Sequence, residues 1–413
     1  MKQKSFNKEL LEFLNSSVTP FHAVESMKTM LLDAEFIELC ESEEWKLTYG
    51  KKYFITRSNS SIIAFNYNKG VDYLLLGAHT DSPTLKVKPN PVIKKDGCVQ
   101  LAVEPYGGVL FSTWFDRDLA LAGEVSFLNE DDEIEYAIIN TCKAIASIPS
   151  LAIHLDKEAN SNKSINAQTD IVPIISTDKK FNFSKFIAKE LNSEELKMKK
   201  LLTHELSFYE TQKASLVGVK NEFISSARLD NLLSCYVAVQ TLISSNKNVM
   251  IVCNDHEEVG SSSVSGAAGT FLEHSLNRVF KENIYAMLRE SLLISCDNAH
   301  AIHPNFSAKH DANHAPHING GVVIKTNSNQ RYATSPKSSA EFIKCAYELN
   351  LKVQQFVTRS DMGCGSTIGP ISATKLGINT LDIGLPTYAM HSCRELAGSK
   401  DAFELYKILL HLK

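Results

Sequence analysis

Three apolar runs in this chain end in acid or imidazole, and that pattern constrains the fold more than any other feature. Tyr73-Leu74-Leu75-Leu76 leads through Gly77 to His79 and Asp81. Val249-Met250-Ile251-Val252-Cys253 leads to Asp255, Glu257 and Glu258, and Leu292-Leu293-Ile294-Ser295 leads to Asp297. Short apolar runs of this kind, without polar alternation, read as strands buried on both faces of a sheet covered by helices. In open α/β sheets the carboxyl ends of the strands border the ligand crevice. Ionisable groups gathered there must be paired or bind metal, because burying them alone is costly.

The same α/β rhythm continues at both ends of the chain. Thr19-Pro20 marks a helix start, with Pro at the first helical position and Phe21, Val24, Met27, Met30 and Leu31 at helical spacing. Tyr53–Ile55 and Ile62–Phe65 are further short apolar runs. Leu229, Leu232, Leu233, Tyr236, Val237 and Val239 mark a helix, and Ser338–Leu349 another. Val322–Ile324, Val353–Thr358 and Ile378–Ile383 read as strands. From about 90 to 150 the character changes to short alternating runs such as Val99–Val103, separated by Gly, Asn and Asp, which is an all-β signature. Residues 156–217 are polar, with a Lys/Glu-rich segment near Ser193–Lys200 expected as a solvated helix. The chain therefore reads as one α/β domain made of 1–89 and 219–413, interrupted by a β-rich domain at 90–218.

Composition excludes several classes of function. A formal net charge of -4 with no long basic block gives nucleic-acid binding no electrostatic support. No run approaches the roughly 18–20 apolar residues of a membrane span, and the polar start Met1–Phe6 does not lead into a signal-peptide core. The nine cysteines are scattered, without a C-x-x-C pair, which fits reduced thiols and a cytoplasmic protein.

The residues after the strands suit metal-assisted proton chemistry. In His79-Thr80-Asp81, residues i and i+2 of an extended segment face one side, so Asp81 can hold one ring nitrogen of His79 and leave the other for a metal. In His256-Glu257-Glu258, adjacent carboxylates point in different directions, one able to ligate and the other to move a proton. Asp230 follows Ser225-Ser226-Ala227-Arg228 at a helix start and reads equally as a helix cap. His391, after Gly384-Leu385-Pro386, reads equally as a packed histidine. His300, His303, His310, His314 and His317 crowd one segment, but Pro304 and Pro316 interrupt it, so these line or shape a pocket rather than ligate.

Taken in order, these blocks resemble the aspartyl aminopeptidase family, a group of co-catalytic zinc aminopeptidases. The resemblance runs through Gly77–Pro83, Trp114–Leu119, Ser226–Asn231, Asp255–Gly260, Asp297–Ala301, Asn327–Ala333, Gly363–Pro370 and Ala389–Ser392, nearly the whole chain. It implies a zinc-aminopeptidase-like catalytic domain, with a mixed central sheet flanked by helices, and an inserted β-rich dimerisation domain. It implies that Asp230 bridges two zinc ions per subunit, His79 and Asp297 completing one site and Glu258 and His391 the other. Manganese or cobalt fits the same oxygen-rich sites.

The implied reaction is removal of the N-terminal residue from peptides by a hydroxide held on both zinc ions, with Glu257 as general base and Asp81 behind His79. His154, Asn329, Met362 and Gly363 fall at the substrate by the same resemblance, His154 reaching the active site of a neighbouring subunit. The implied assembly is a homo-oligomer, dimers built into a dodecamer. Asn329 departs from the lysine of the acid-specific members, which leaves a preference for N-terminal Asp or Glu open. A two-metal amidohydrolase of the N-acyl deacylase or carboxypeptidase type, and a non-catalytic assembly protein on the same scaffold, are the alternatives.

Overall fold

The computed structural model describes residues 1–191 and 197–412. They form two units: one of 1–81, 214–390 and 395–412, the other of 82–191, 197–213 and 391–394. The sequence reading places these junctions at 89/90 and 218/219; here the chain leaves the first unit at Asp81–Ser82 and returns at Lys213–Ala214.

The first unit is built on a nine-stranded mixed sheet. Its strands in chain order are β1 (Ile37–Glu38), β2 (Lys51–Arg57), β3 (Ser61–Tyr67), β4 (Leu74–His79), β5 (Val249–Asn254), β6 (Leu292–Cys296), β7 (Val322–Lys325), β8 (Val353–Phe356) and β9 (Asn379–Gly384). Across the sheet they lie β1-β2-β3-β5-β4-β6-β9-β7-β8. The central strands β5, β4, β6 and β9 run parallel. β3 pairs antiparallel with β5, and β7 with β9.

Side-chain alternation explains the continuous apolar runs. Leu74, Leu76, Ala78, Ile251 and Ile294 pack into one core with Phe6, Leu10, Leu232 and Leu405. Their neighbours Tyr73, Leu75, Met250, Val252 and Leu293 pack into a second core with Phe271, Leu276 and Met287. The central runs are thus apolar at successive positions because both faces of the sheet are covered by helices. The helices Gln3–Ser16, Pro20–Asp33, Leu229–Ser244, Pro336–Glu348 and Asp401–His411 supply the first core, and Phe271–Phe280 and Ile284–Glu290 the second. Pro20 opens its helix as the sequence requires, and Thr19 accepts the His22 N–H at 3.4 Å.

A small five-stranded sheet completes this unit, in the order Ser215–Val217, Phe223–Ser226, Glu395–Gly398, Pro386–Tyr388 and Ala299–His300. The second unit holds a six-stranded antiparallel sheet: Ile134–Asn140, Leu119–Leu128, Lys200–Glu210, Thr84–Lys95, Cys98–Tyr106 and Ile174–Ser176 in spatial order. Leu85, Leu101, Leu121, Phe127, Leu206 and Phe208 fill its core with Ile187 of the helix Phe183–Leu191. The solvated helix expected near Ser193–Lys200 is corrected in part. Residues 193–196 lie outside the described residues, 197–199 are not helical and Lys200 opens a strand. The helix lies earlier, where Phe183, Ile187 and Leu191 repeat every four residues to meet the core.

Asp401 ties the last helix to the sheet. It accepts the N–H groups of Asn319 at 2.8 Å and Gly321 at 3.0 Å, fixing the turn that feeds β7. Burial pushes its carboxyl up to about 7, against the pull of those two donors. A folded pKa above the unfolded value of roughly 3.9 means that folding disfavours the charged form. The contribution is therefore fully present below the unfolded pKa and is lost as pH rises through about 7. Asp401→Asn is expected to flatten the decline in thermal midpoint between about pH 4 and about pH 7; a decline parallel to that of the unaltered protein would contradict this assignment.

Candidate metal centre

The register of the sheet brings the chemistry to one level. His79 on β4 pairs with Asn254 on β5, and Gly77 on β4 pairs with Ser295 on β6. Two residues on from that second pair lie His79 and Asp297, while Asp255 follows Asn254 directly. Gly384 at the end of β9 permits this arrangement: a Cβ there would stand 2.2 Å from the backbone oxygen of Asp297.

His79 is the hub. Its ring is buried, with Nε2 3.5 Å from Asp230 Oδ1 and 3.6 Å from Asp297 Oδ1. Its Nδ1 lies 3.1 Å from the Asp81 carbonyl and 3.3 Å from Asp81 Oδ1. The Asp81 segment thereby orients the ring and leaves Nε2 turned to the other two acids. The same Asp81 carboxylate accepts the backbone N–H groups of Glu257 and Glu258, each at 3.1 Å. One buried acid thus sets the imidazole and anchors the turn that carries both glutamates.

That turn and the Asp230 segment are bent by non-glycine residues in the left-handed region. His256 has φ 62° and precedes the short turn Glu257–Val259. His256 Nδ1 lies 2.8 Å from Ser263 Oγ, which pins the bend. Arg228 has φ 57° and stands at the start of the helix Leu229–Ser244. The reading of Asp230 as a helix cap does not hold, because Arg228 occupies that position without a side-chain cap and Asp230 itself is non-helical. Glu395 accepts the Asp230 N–H at 3.0 Å, and Asn231 donates to the Cys296 carbonyl at 2.8 Å. These bonds turn the Asp230 carboxylate toward His79 instead of the helix end.

The donor set fits zinc. Three atoms about 2.0–2.2 Å from one tetrahedral zinc stand roughly 3.3–3.6 Å apart. The separations of 3.5 and 3.6 Å from His79 Nε2 to the two aspartates match that spacing. Burial would lower the His79 pKa, but Asp230, Asp297 and Asp81 outweigh it and raise it well above the ordinary value. Burial, with the charges of Asp297, Asp230 and Asp81, pushes Glu257 up to about 7 against the opposing charge of His79. Burial and the Asp230 charge likewise raise Glu258. A cation held among these acids opposes the rise in both glutamates.

His391 belongs to the second unit, where its Nδ1 stands 3.1 Å from the Gly108 carbonyl. His154 is exposed in a turn of that unit. Met362 and Gly363 line a cavity of about 330 Å³ in the first unit, with His300, His303, His310 and Tyr332. Asn329 is exposed, its N–H donating to Asn327 Oδ1 at 2.9 Å, and it is not among the residues lining that cavity. His300 and His303 pack near aromatic rings, His300 on Phe356 and His303 on Phe306 and Tyr388. Sequence reasoning missed Lys325, whose Nζ lies 3.2 Å from Asp297 Oδ2, and Glu395 behind Asp230. A lysine closing the apolar run Val322-Val323-Ile324 was the available signal for the first; Glu395 left none.

An imidazole and two carboxylates at zinc spacing, beside a glutamate of raised pKa at the strand ends of an α/β sheet, mark a metal-dependent hydrolase. A family profile described as Aminopeptidase I zinc metalloprotease (M18) matches residues 13–411. A probable M18 family aminopeptidase 2 of Ectopseudomonas mendocina is 50% identical over 97% of this chain and 96% of its own length. One from Pseudomonas aeruginosa is 49% identical over 98% and 96%. Among solved structures, one of an Ape4 and Nbr1 complex aligns with TM-score 0.94 and 38% identity, over 99% of this chain and 86% of that one. The S. cerevisiae mApe1 dodecamer aligns with TM-score 0.84 and 26% identity, over 98% and 95%. The chain belongs to the M18 family and is a zinc metallo-aminopeptidase, a hydrolase of N-terminal peptide bonds.

Asp81→Asn keeps the shape of the side chain but cannot accept both turn N–H groups as the carboxylate does. It is expected to lower zinc retention or kcat/KM by about 10–100-fold. Zinc content after graded chelator dialysis, measured beside turnover, checks this; wild-type values for both would refute it.

Proposed function

We propose that this aminopeptidase holds two zinc ions per subunit, with Asp230 shared, His79 and Asp297 on one ion, and Glu258 and His391 on the other. The observation that carries the reading is the convergence of His79, Asp230 and Asp297 at zinc spacing beside Glu257. Bound there, zinc supplies Lewis acidity that lowers the pKa of water and draws charge from the scissile carbonyl. Glu257 is the general base: it takes the proton from the attacking water and delivers it to the leaving amine. Asp81 holds it in place by accepting its backbone N–H. The neighbouring acids attract the free amino terminus of a peptide, which limits cleavage to the first residue.

Glu257→Gln is expected to retain zinc and lose at least about 10²-fold in kcat; full turnover in that variant would sink the base assignment. Chelation is expected to abolish release of first residues, and acetylated peptides to resist cleavage. Cleavage of N-acyl substrates would favour the amidohydrolase alternative instead. A side-by-side assay of peptides starting with Asp, Glu, Leu and Met reads the specificity that Asn329 leaves open.

We also propose that the unit of 82–213 is a dimerisation domain and that dimers build a dodecamer, the assembly named for the yeast neighbour. The support in this chain is apolar exposure. Ile134, Tyr136 and Ile138 stand out along an edge strand, and Leu151, Ile153 and Leu155 are exposed beside His154 in sequence. His154 would then complete the site of a neighbouring subunit. Among the described residues the nine cysteines are unpaired, which supports a reducing cytoplasmic setting. No helix among them is long and apolar enough to cross a membrane. Light scattering is expected to show a large oligomer, with Tyr136→Glu shifting it toward smaller species; a monomer at micromolar concentration would overturn the assembly and the role of His154.

A further inference from the structure

A buried cation stands behind the acids at the strand ends. Lys325 closes β7, and its side chain is only 3% exposed. Its Nζ lies 3.2 Å from Asp297 Oδ2 and 5.3 Å from the centre of the Tyr332 ring. The other oxygen of Asp297 lies 3.6 Å from His79 Nε2. The two oxygens of Asp297 therefore serve different partners, a lysine on one and the hub histidine on the other. The charge of Lys325 also reaches Asp382, buried on the adjacent β9.

The position is apolar in every respect but this one. Val322, Val323 and Ile324 before it are fully buried, and an aliphatic residue would extend the same run. Burying an ammonium is costly unless a close anion offsets the lost hydration. Its surroundings supply such anions, and they are the same acids that attract a metal.

We propose that Lys325 is the resident counter-charge of the metal centre, acting on it by its charge through the ion pair with Asp297. It neutralises the acids before metal enters and opposes the metal once it is bound. The inference rests on the zinc reading above. Two cations drawn to one set of carboxylates repel each other, so removing one strengthens the binding of the other. Lys325 thereby stabilises the metal-free protein and weakens zinc binding. An orienting role alone has the opposite sign, because a loosened Asp297 would hold zinc less well.

The test compares Lys325→Met, which keeps the length without the charge, with Lys325→Arg, which keeps the charge. Thermal midpoints are measured in excess chelator and in excess zinc, and the zinc dissociation constant by competition with a chromogenic chelator. Lys325→Met is expected to lose more midpoint in chelator than in zinc and to bind zinc about tenfold or more tightly than wild type. Lys325→Arg is expected to stay closer to wild type in both. Equal losses in both media would reduce Lys325 to packing, and weaker zinc binding would reduce it to orientation; either overturns the proposal. If Lys325→Met does not fold in chelator, Lys325→Met with Asp297→Asn removes both charges and is expected to fold there; continued failure also overturns it. Wild-type protein that binds no zinc would refute the metal reading instead, while the chelator arm still decides whether Lys325 balances Asp297.

Discussion

Repulsion among carboxylates at one end of a buried sheet is the constraint around which the catalytic unit is arranged. Asp81, Asp230, Glu257, Glu258 and Asp297 act on one another closely enough that, after burial itself, the charges of Asp297, Asp230 and Asp81 raise Glu257. Two like charges about 4 Å apart repel by roughly 4 kcal/mol at an effective dielectric near 20. Several such pairs rival the entire net stability of an ordinary domain, which is about 5–15 kcal/mol. Apolar packing cannot cancel them locally; only positive charge can. The imidazole of His79 and the ammonium of Lys325 supply some of it, and zinc chemistry follows from the remainder.

Holding these groups requires backbone that helices and strands do not offer. The acids sit on short bends just past the strands, and left-handed residues at Arg228 and His256 shape two of those bends. Such conformations cost on the order of 1–3 kcal/mol each and persist only where surrounding structure fixes them. Here the fixing groups are acids: Asp81 holds both His79 and two N–H groups of the Glu257 turn, and Glu395 holds the Asp230 backbone. The two apolar cores that cover both faces of the sheet supply the stability against which this strain is held.

The same physics decides what the sequence made legible. The central strands were readable because burial on both faces leaves no polar position to blur them, and the acids stood out because they interrupt that pattern. The small sheet was not readable, since strands such as Ala299–His300 and Pro386–Tyr388 are too short to show alternation. The helix Phe183–Leu191 carried its signal in three apolar residues at spacing four, which the nearby Lys and Glu residues obscured. Asp230 was ambiguous because a helix cap and a ligand draw on the same residue type, and only the left-handed Arg228 and the bond to Glu395 separate them. Lys325 looked like the end of a strand because its partner Asp297 lies 28 residues away in the chain.

The acid–histidine network and the cavity rest on different parts of the structure. The acids and His79 are fixed by hydrogen bonds close to the strand ends, whereas the cavity walls come mainly from irregular segments around 301–311 and 357–365. One buried acid joins the segments on either side of the cavity to the sheet: Asp382 accepts the Ala333 N–H and the Thr367 hydroxyl, each at 2.6 Å. Gly369 leaves room for that carboxylate, since a Cβ there would stand 2.3 Å from Asp382 Oδ1. Asn329, four residues before Ala333, is exposed on the loop that this clamp holds. A change of residue there alters the loop surface without entering the acid–histidine network. That separation lets the residue at 329, the position expected from the family resemblance to read an acidic side chain, vary independently of the acids and His79.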